Sequence, residues 1–463
     1  GNLLLSGDHA LVITPEFSRF PRSAQTLMSI RPQRTRLTVI DLTAAPQVTG
    51  TMTVDGSYVD ARQVGSSVRI VVRSSPRIGF PPPRPPYPID EKKAIDANRR
   101  IVAQAPIGDW LPGYEVDTEK VHRTGQVPCD RVGHPVGAAG MSLTSVLTLD
   151  LAQGIGDPDP VSLAADGTTV YGTGSSLYLA STQGWTKPGN GGLTTDLHKF
   201  DISGPGRPRY VASGSVPGTL LNQYSLSEYA GNLRVATQSG SPWGGGPNAV
   251  SSVYVLAPHG PRLETIGSVG GLGKGERLYA VRFIGPAGYA VTYRQTDPLF
   301  TLDLHDPAKP AVTGELKISG YSAYLHPTAD GRLLGIGQDT GSSWGTQVSL
   351  FDVNGTPKRL GLVRIPGTQS QAEYDPHAFL YWPQSGLTVV PLMGGNRPGG
   401  EVLVLSVTAG GIRKVGAVTQ PGRQYWSPIQ RSLIIGDTLW TISDTGAQAT
   451  GATTLTKQSW IPF

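Results

Sequence analysis

The feature that most constrains this chain is a hairpin that recurs from one end to the other. An apolar run reaches a glycine, the chain turns, and a second apolar run leaves. The copies are NLLLSGDHALVI around Gly7, DARQVGSSVRIVV around Gly65, TTVYGTGSSLYLA around Gly174 and SLSEYAGNLRVAT around Gly231. They continue with YAVRFIGPAGYAV around Gly285, LHPTADGRLLGIG around Gly331, HAFLYWPQSGLTVV around Gly386 and RSLIIGDTLWTIS around Gly436. Most anchors recur about every 50 residues; a unit of this length holds four strands, and stacking such units buries faces that no single unit can bury alone. A solenoid would need shorter units, and a sandwich would not repeat at this length.

Between the anchors a second strand pair recurs, its first strand often ending in Asp. LTVIDL (Asp41), SVLTLDL (Asp150), LHKFDI (Asp201), LFTLDL (Asp303) and VSLFDV (Asp352) are the clear cases. An Asp there caps a turn by accepting from backbone N–H groups just ahead of it, which needs no catalytic explanation. The 60 glycines and 39 prolines fall between short apolar runs and so punctuate turns, while charged residues make up only 16%. The expected fold is therefore all-β: one β-propeller domain over residues 1–463, with eight four-stranded blades.

One gap breaks the rhythm. An insertion within the second blade, residues 77–141, opens with the extended FPPPRPPYPID. DEKKAIDANRRIVAQAPIGDWL follows, where Ala94, Ile95, Ile101 and Val102 suit a short helix, and then the irregular DTEKVHRTGQVPCDRVGHPVGAAG. Long insertions without strand character usually serve function, so this one is expected to cover part of a face or the channel mouth.

The segments YSLSEYAGNLRVAT, YRQTDPLFTLDLHDPAKPAVTGELKISGYSAYLHP, AEYDPHAFLYWPQSGL and QRSLIIGDTLWTIS resemble a family of secreted bacterial and archaeal proteins. That family carries a β-propeller distantly related to WD-type repeats. The resemblance runs over nearly the whole chain, and DEKKAIDANR, DWLPGYEV, CDRVGHP and SLTSVLTLDL within and after the insertion share it. It implies an exported protein, extracellular or in the cell envelope, with further strands ahead of Gly1. It supplies no catalytic residues.

Chemistry is sparse. The net charge of +5 is scattered, without basic runs interleaved with aromatics, so nucleic acid is not expected as a partner. No apolar stretch approaches the ~20 residues of a membrane span. A single cysteine, Cys129, excludes an intramolecular disulfide, and beside Asp130 and His134 it reads as an inert, partly buried thiol before a nucleophile. Polar residues on the channel-lining first strands are Asp60, Arg62, Glu228, Arg282, His326, Asp375, His377 and Arg431. Arg62, Glu228 and Arg282 each stand three residues before their glycine, at equivalent heights. They form either a binding ring at the channel mouth or a structural ion-pair network, the latter preferred.

His326, His377 and Asp375 have the residue types of a metal site but lack its spacing, and no metal is expected. The remaining histidines (His9, His122, His134, His198, His259 and His305) read as turn or insertion residues without pattern. Gly341-Ser342-Ser343-Trp344-Gly345 matches G-x-S-x-G by coincidence, in a loop without the α/β sheet that motif needs. Asp157 and Asp159 leave calcium as a minor expectation, with no other cofactor. Trp185, Trp243 and Trp344 lie in glycine-flanked loops between second and third strands, and either plug their blades or offer a stacking platform. The functional expectation is a non-enzymatic extracellular scaffold that binds a protein or glycan through one face and the insertion. The alternative is an enzyme acting at the channel mouth.

Overall fold

A computed structural model describes residues 2–16, 33–80, 90–136, 140–183, 192–240, 246–294, 297–341, 344–394, 399–421 and 427–463. The chain falls into two compact units, Gly1–Val216 with Pro258–Glu264, and Pro217–Ala257 with Thr265–Phe463. Antiparallel four-stranded meanders make up both.

In the first unit, the first meander runs Asn2–Ser6, His9–Glu16, Arg34–Asp41 and Gln47–Asp55. The second runs Ser57–Val64, Ser67–Ser74, Leu143–Asp150 and Val161–Leu163, and the third Thr169–Gly172, Ser176–Gln183, Thr194–Asp201 and Arg209–Pro217. Leu11, Leu37 and Met52 of the first meander pack with Ile70 and Leu147 of the second, all fully buried. Both faces of these inner strands are covered, and a run such as Ile70–Val72 is therefore apolar without alternation.

In the second unit, the fourth meander begins Leu226–Tyr229, Asn232–Gln238 and Ser251–His259. The fifth comprises Arg277–Ile284, Ala287–Tyr293, Asp297–Asp303 and Ala311–Ile318. The sixth comprises Tyr321–Pro327, Leu333–Asp339, Gly345–Asp352 and Lys358–Pro366. The seventh starts with the split strand Thr368–Ser370 and Leu380–Trp382, then runs Leu387–Gly394, Glu401–Thr408 and Gly411–Thr419. Arg431–Ile435, Thr438–Ser443, Gly446–Gly451 and Lys457–Pro462 form the last.

Recurring local devices shape the meanders. Every hairpin anchor except Gly174 holds a positive φ, the conformation a tight turn needs and glycine adopts without steric cost. Bulges leave Val59, Tyr279 and Ala323 unpaired on first strands, and Thr49, Thr313, Leu360, Val415 and Gln458 unpaired on fourth strands. The recurring Asp residues cap their turns: Asp41, Asp150, Asp201, Asp303 and Asp352 each accept from the backbone N–H two residues on, at 2.8–3.1 Å. Thr43 holds the Asp41 carboxyl below its usual range, and Ser203 with Arg209 brings Asp201 to about 2.

Buried arginines tie neighbouring meanders together. Arg69 donates to the Gly204 and Gly206 carbonyls at 2.7 and 2.9 Å. Arg234, 3% exposed, donates to Gly285 O at 2.5 Å and to Ser227 Oγ at 2.7 Å, between the rings of Tyr229 and Phe283. Replacing Arg234 by alanine strands the Gly285 carbonyl and removes a charge-assisted bond. A loss of about 2 kcal/mol in urea unfolding is expected, against no change if the side chain were merely tolerated.

The insertion departs from the sequence expectation. Its helix Glu91–Gln104, capped by Asp90, buries no residue, and Ile95 is 50% exposed. A hairpin, Gly113–Thr118 and His122–Gln126, reaches into the stretch read as irregular, and its first strand pairs with the outer edge Gln47–Asp55 of the first meander. Tyr114 and Val116 bury on that added strand, and Arg77 fastens to Asp55 at 2.5 Å. The hairpin therefore broadens that edge of the first meander. Cys129, expected partly buried, is exposed. No helix among the described residues is long and apolar enough to cross a membrane.

Candidate binding surface

Several of the expected channel-mouth residues have local partners. Asp60 and Arg62 pair with each other at 2.7 Å, and Arg62 also donates to Val170 O at 2.9 Å. Glu228 lies on the first strand of the fourth meander, opposite Leu233. Arg282 stacks over the Tyr224 ring at 4.8 Å. Through Val170 O, Arg62 braces the second meander against the third.

Around Arg282 an aromatic belt joins Tyr224, just ahead of a first strand, to Tyr324, His326 and Phe379. Tyr224 packs on Tyr324 at 5.7 Å, and Tyr324 packs on Phe379 at 5.4 Å. The His326 ring lies 4.9 Å from Phe379 and 5.4 Å from Tyr381, with Nδ1 bonded to the Tyr324 hydroxyl at 3.0 Å. Burial, with Arg282 adding repulsion, lowers the His326 pKa to about 4, so the imidazole is neutral near pH 7.

His377 takes a different environment. Asp375 accepts from His377 Nδ1 at 2.9 Å and from Arg431 at 2.7 Å, and its backbone turn is capped through the His377 N–H at 3.0 Å. Burial pushes the Asp375 carboxyl up, but the bonds from Arg431 and His377 outweigh it and hold the group below its usual range. Among the described residues no three His, Cys, Asp or Glu side chains group to hold a metal. The two carboxylates weighed for calcium are both in ion pairs. Asp159 is clamped by Arg131 and Arg207 at 2.7 and 3.0 Å, and Asp157 by Arg123 at 3.2 Å. Guanidinium groups already neutralise both carboxylates.

A second aromatic cluster was not foreseen. Tyr279 contacts Tyr321 at 4.4 Å and Tyr293 at 5.7 Å, and Tyr293 contacts Tyr321 at 5.1 Å. Arg277 lies over Tyr279 at 5.3 Å, and the Tyr293 hydroxyl donates to Thr340 Oγ1 at 2.9 Å. Burial raises the Tyr321 pKa, helped by the neighbouring Glu373, which burial also raises against its bonds from Ser370 and Gln338. Beside them Trp344 donates to Gln338 Oε1 at 3.0 Å and is 46% exposed, while Tyr374 is 65% exposed. Trp344 is thus anchored by its indole N–H with much of its ring uncovered. It is not a plug. Trp185 and Trp243 lie outside the described residues, as does Ser343. The available signal was tyrosine near the start of first strands, at Tyr58, Tyr279 and Tyr321.

A sequence-family model described as "Beta propeller domain" matches residues 1–455. An uncharacterized protein of Methanocaldococcus jannaschii is 43% identical over 173 residues, 37% of this chain and 27% of that protein. One of Archaeoglobus fulgidus is 42% identical over 179 residues, 38% of this chain and 27% of that protein. The matched stretch thus spans about a quarter of each archaeal relative's length. Among solved structures, Saccharomyces cerevisiae Sqt1 aligns with a TM-score of 0.42 at 10% identity, covering 71% of this chain and 83% of Sqt1. Apo AztD from Citrobacter koseri aligns with a TM-score of 0.42 at 12% identity, covering 92% and 91%.

Proposed function

This chain belongs to the beta propeller domain family, and we propose that it is a non-enzymatic scaffold that docks a protein partner on the surface around Trp344 and Tyr374. The observation that carries this reading is the composition of that surface. Three tyrosines in mutual contact, an arginine stacked on one of them, and an exposed Trp and Tyr beside them are the residue types that dominate protein-binding hot spots. A glycan on this surface is less well supported. Sugar stacking needs an open ring face, whereas Tyr279 is covered by Arg277 and meets Tyr293 edge-on at 89°. The channel-mouth enzyme is weaker still, since Asp60, Arg62, Asp375 and Arg431 spend their polar atoms on one another and on backbone. An extracellular or envelope setting belongs to the same proposal and rests on the family resemblance; fractionation that leaves the chain in the cytosol would overturn it.

Trp344→Ala and Tyr374→Ala touch exposed rings and should leave folding intact. For a partner identified by crosslinking, each is expected to weaken affinity roughly 10- to 100-fold, as for hot-spot aromatics. Titration by calorimetry checks this. Unchanged affinity in both variants overturns the assignment of this surface.

A further inference from the structure

The first unit contains a cavity of about 300 Å³ that the aromatic surface does not use. Its floor is the third meander. Asp196 and His198 alternate along the strand Thr194–Asp201, two residues apart and so on one face, and Ser213 and Ser215 stand on the neighbouring strand. Arg262 and Glu264 form a wall, carried by a short segment that pairs Arg262 in parallel with Ser213. Pro135 and Val136, from the end of the insertion, line it as well.

His198 singles this cavity out. It is 2% exposed, and among the described residues neither ring nitrogen has a hydrogen-bond partner. A buried imidazole with both nitrogens unpaired is costly, and one that lines a polar cavity points to an occupant that satisfies it. This histidine was read as a turn residue; it lies on a strand instead, at a position buried on both faces of its sheet.

We propose that this cavity binds a single neutral sugar unit, with His198 hydrogen-bonded to its hydroxyls. The lining decides among ligand classes. A cation meets Arg262, an anion meets Asp196 and Glu264, and an apolar guest leaves His198 unpaired. Among the described residues a metal ion finds no grouped set of three ligands. Hydroxyls both donate and accept. They therefore match a neutral imidazole, which offers one donor and one acceptor, together with carboxylates, a guanidinium and serines. The volume lies at the small end of ligand sites, suited to one ring and not to a chain. Burial keeps the His198 pKa near 4, so the ring stays neutral through the physiological range.

With eight histidines in the chain, isotope-labelled imidazole NMR resolves the site, and His198→Phe assigns its signal by deletion. Glucose, galactose, mannose and N-acetylglucosamine are titrated singly, with zinc chloride and sodium phosphate as competing classes and a short oligosaccharide as a further arm. The expected result is that at least one monosaccharide shifts the His198 signal and that His198→Phe weakens its binding at least roughly tenfold. Should His198→Phe fail to fold, Arg262→Ala with Glu264→Ala, both exposed, must produce the same loss. No response to any sugar, a response to zinc or phosphate instead, or full binding by the variants overturns the proposal. A response confined to the oligosaccharide also overturns it as a single-unit site.

Discussion

Replacing Gly267 by valine is expected to destabilise the second unit by about 3 kcal/mol or more, although valine is the better strand former. The fourth strand of the fourth meander, Arg262–Leu272, passes directly over the turn Pro307–Ala308 of the fifth. A side chain built at Gly267 overlaps the Pro307 carbonyl oxygen and comes within 2.9 Å of the Ala308 carbonyl. Those are backbone atoms of a turn that Asp306 caps through the Ala308 N–H at 3.0 Å, so the neighbour has little room to yield. The same device recurs in this unit: Gly314 meets Pro357 at 2.6 Å, Gly361 meets Ile412 at 2.5 Å, and Gly416 meets Leu455 at 2.7 Å. There the neighbour is a side chain, and substitution should cost less. Urea unfolding measures the difference, with Gly174→Ala as control, since nothing lies within 4 Å of a methyl at that turn. A Gly267→Val midpoint equal to that of the control would show that close approach does not explain this glycine.

These positions also mark how far the sequence could be read. Glycine at a hairpin and glycine under a neighbouring turn look alike in a sequence, yet the first is selected for φ and the second for the missing side chain. The hairpins were legible because each glycine sits between two apolar runs; Gly267, Gly314, Gly361 and Gly416 lie on outer strands whose exposed residues hide the pattern. The same difficulty concealed the insertion's hairpin. His122–Gln126 pairs on one side only and stays largely exposed, so nothing in HRTGQ alternates.

For the site, chain position predicted neighbours better than roles. Asp375 and Arg431, both placed on first strands, do pair at 2.7 Å. His326 and His377, grouped by residue type, go to an aromatic pocket and an exposed carboxylate pair respectively. Sequence spacing gives a residue's height on its strand; side-chain direction depends on bulges such as those at Tyr279 and Ala323, which spacing does not reveal. His198 was missed for a related reason. Its neighbours Leu197 and Phe200 bury on both faces of the strand, so a histidine between them occupies a core position without breaking any alternation.

The two buried histidines predict an acid-sensitive stability with a defined window. His198 and His326 bind a proton near pH 4 in the folded chain against about 6.5 when unfolded. Between those values the unfolded chain holds more protons, so stability is complete above about pH 6.5 and falls as the pH drops toward 4. Through His198 alone the loss is on the order of 3 kcal/mol. Asp41, Asp201, Asp352 and Asp375 follow by the same linkage at lower pH. Their lowered folded values make them stabilising above about pH 4, and that contribution disappears only on further acidification. Glu373, raised by burial, works the other way and gains slightly on mild acidification. Urea midpoints measured from pH 7.5 to below 4 should therefore fall in two stages, and His198→Phe with His326→Phe should flatten the first while leaving the second. The two variants are separable because they sit in different units, His198 in the first and His326 in the second. If the double variant retains the full slope between pH 6.5 and 4, these imidazoles are not the groups that take up the protons.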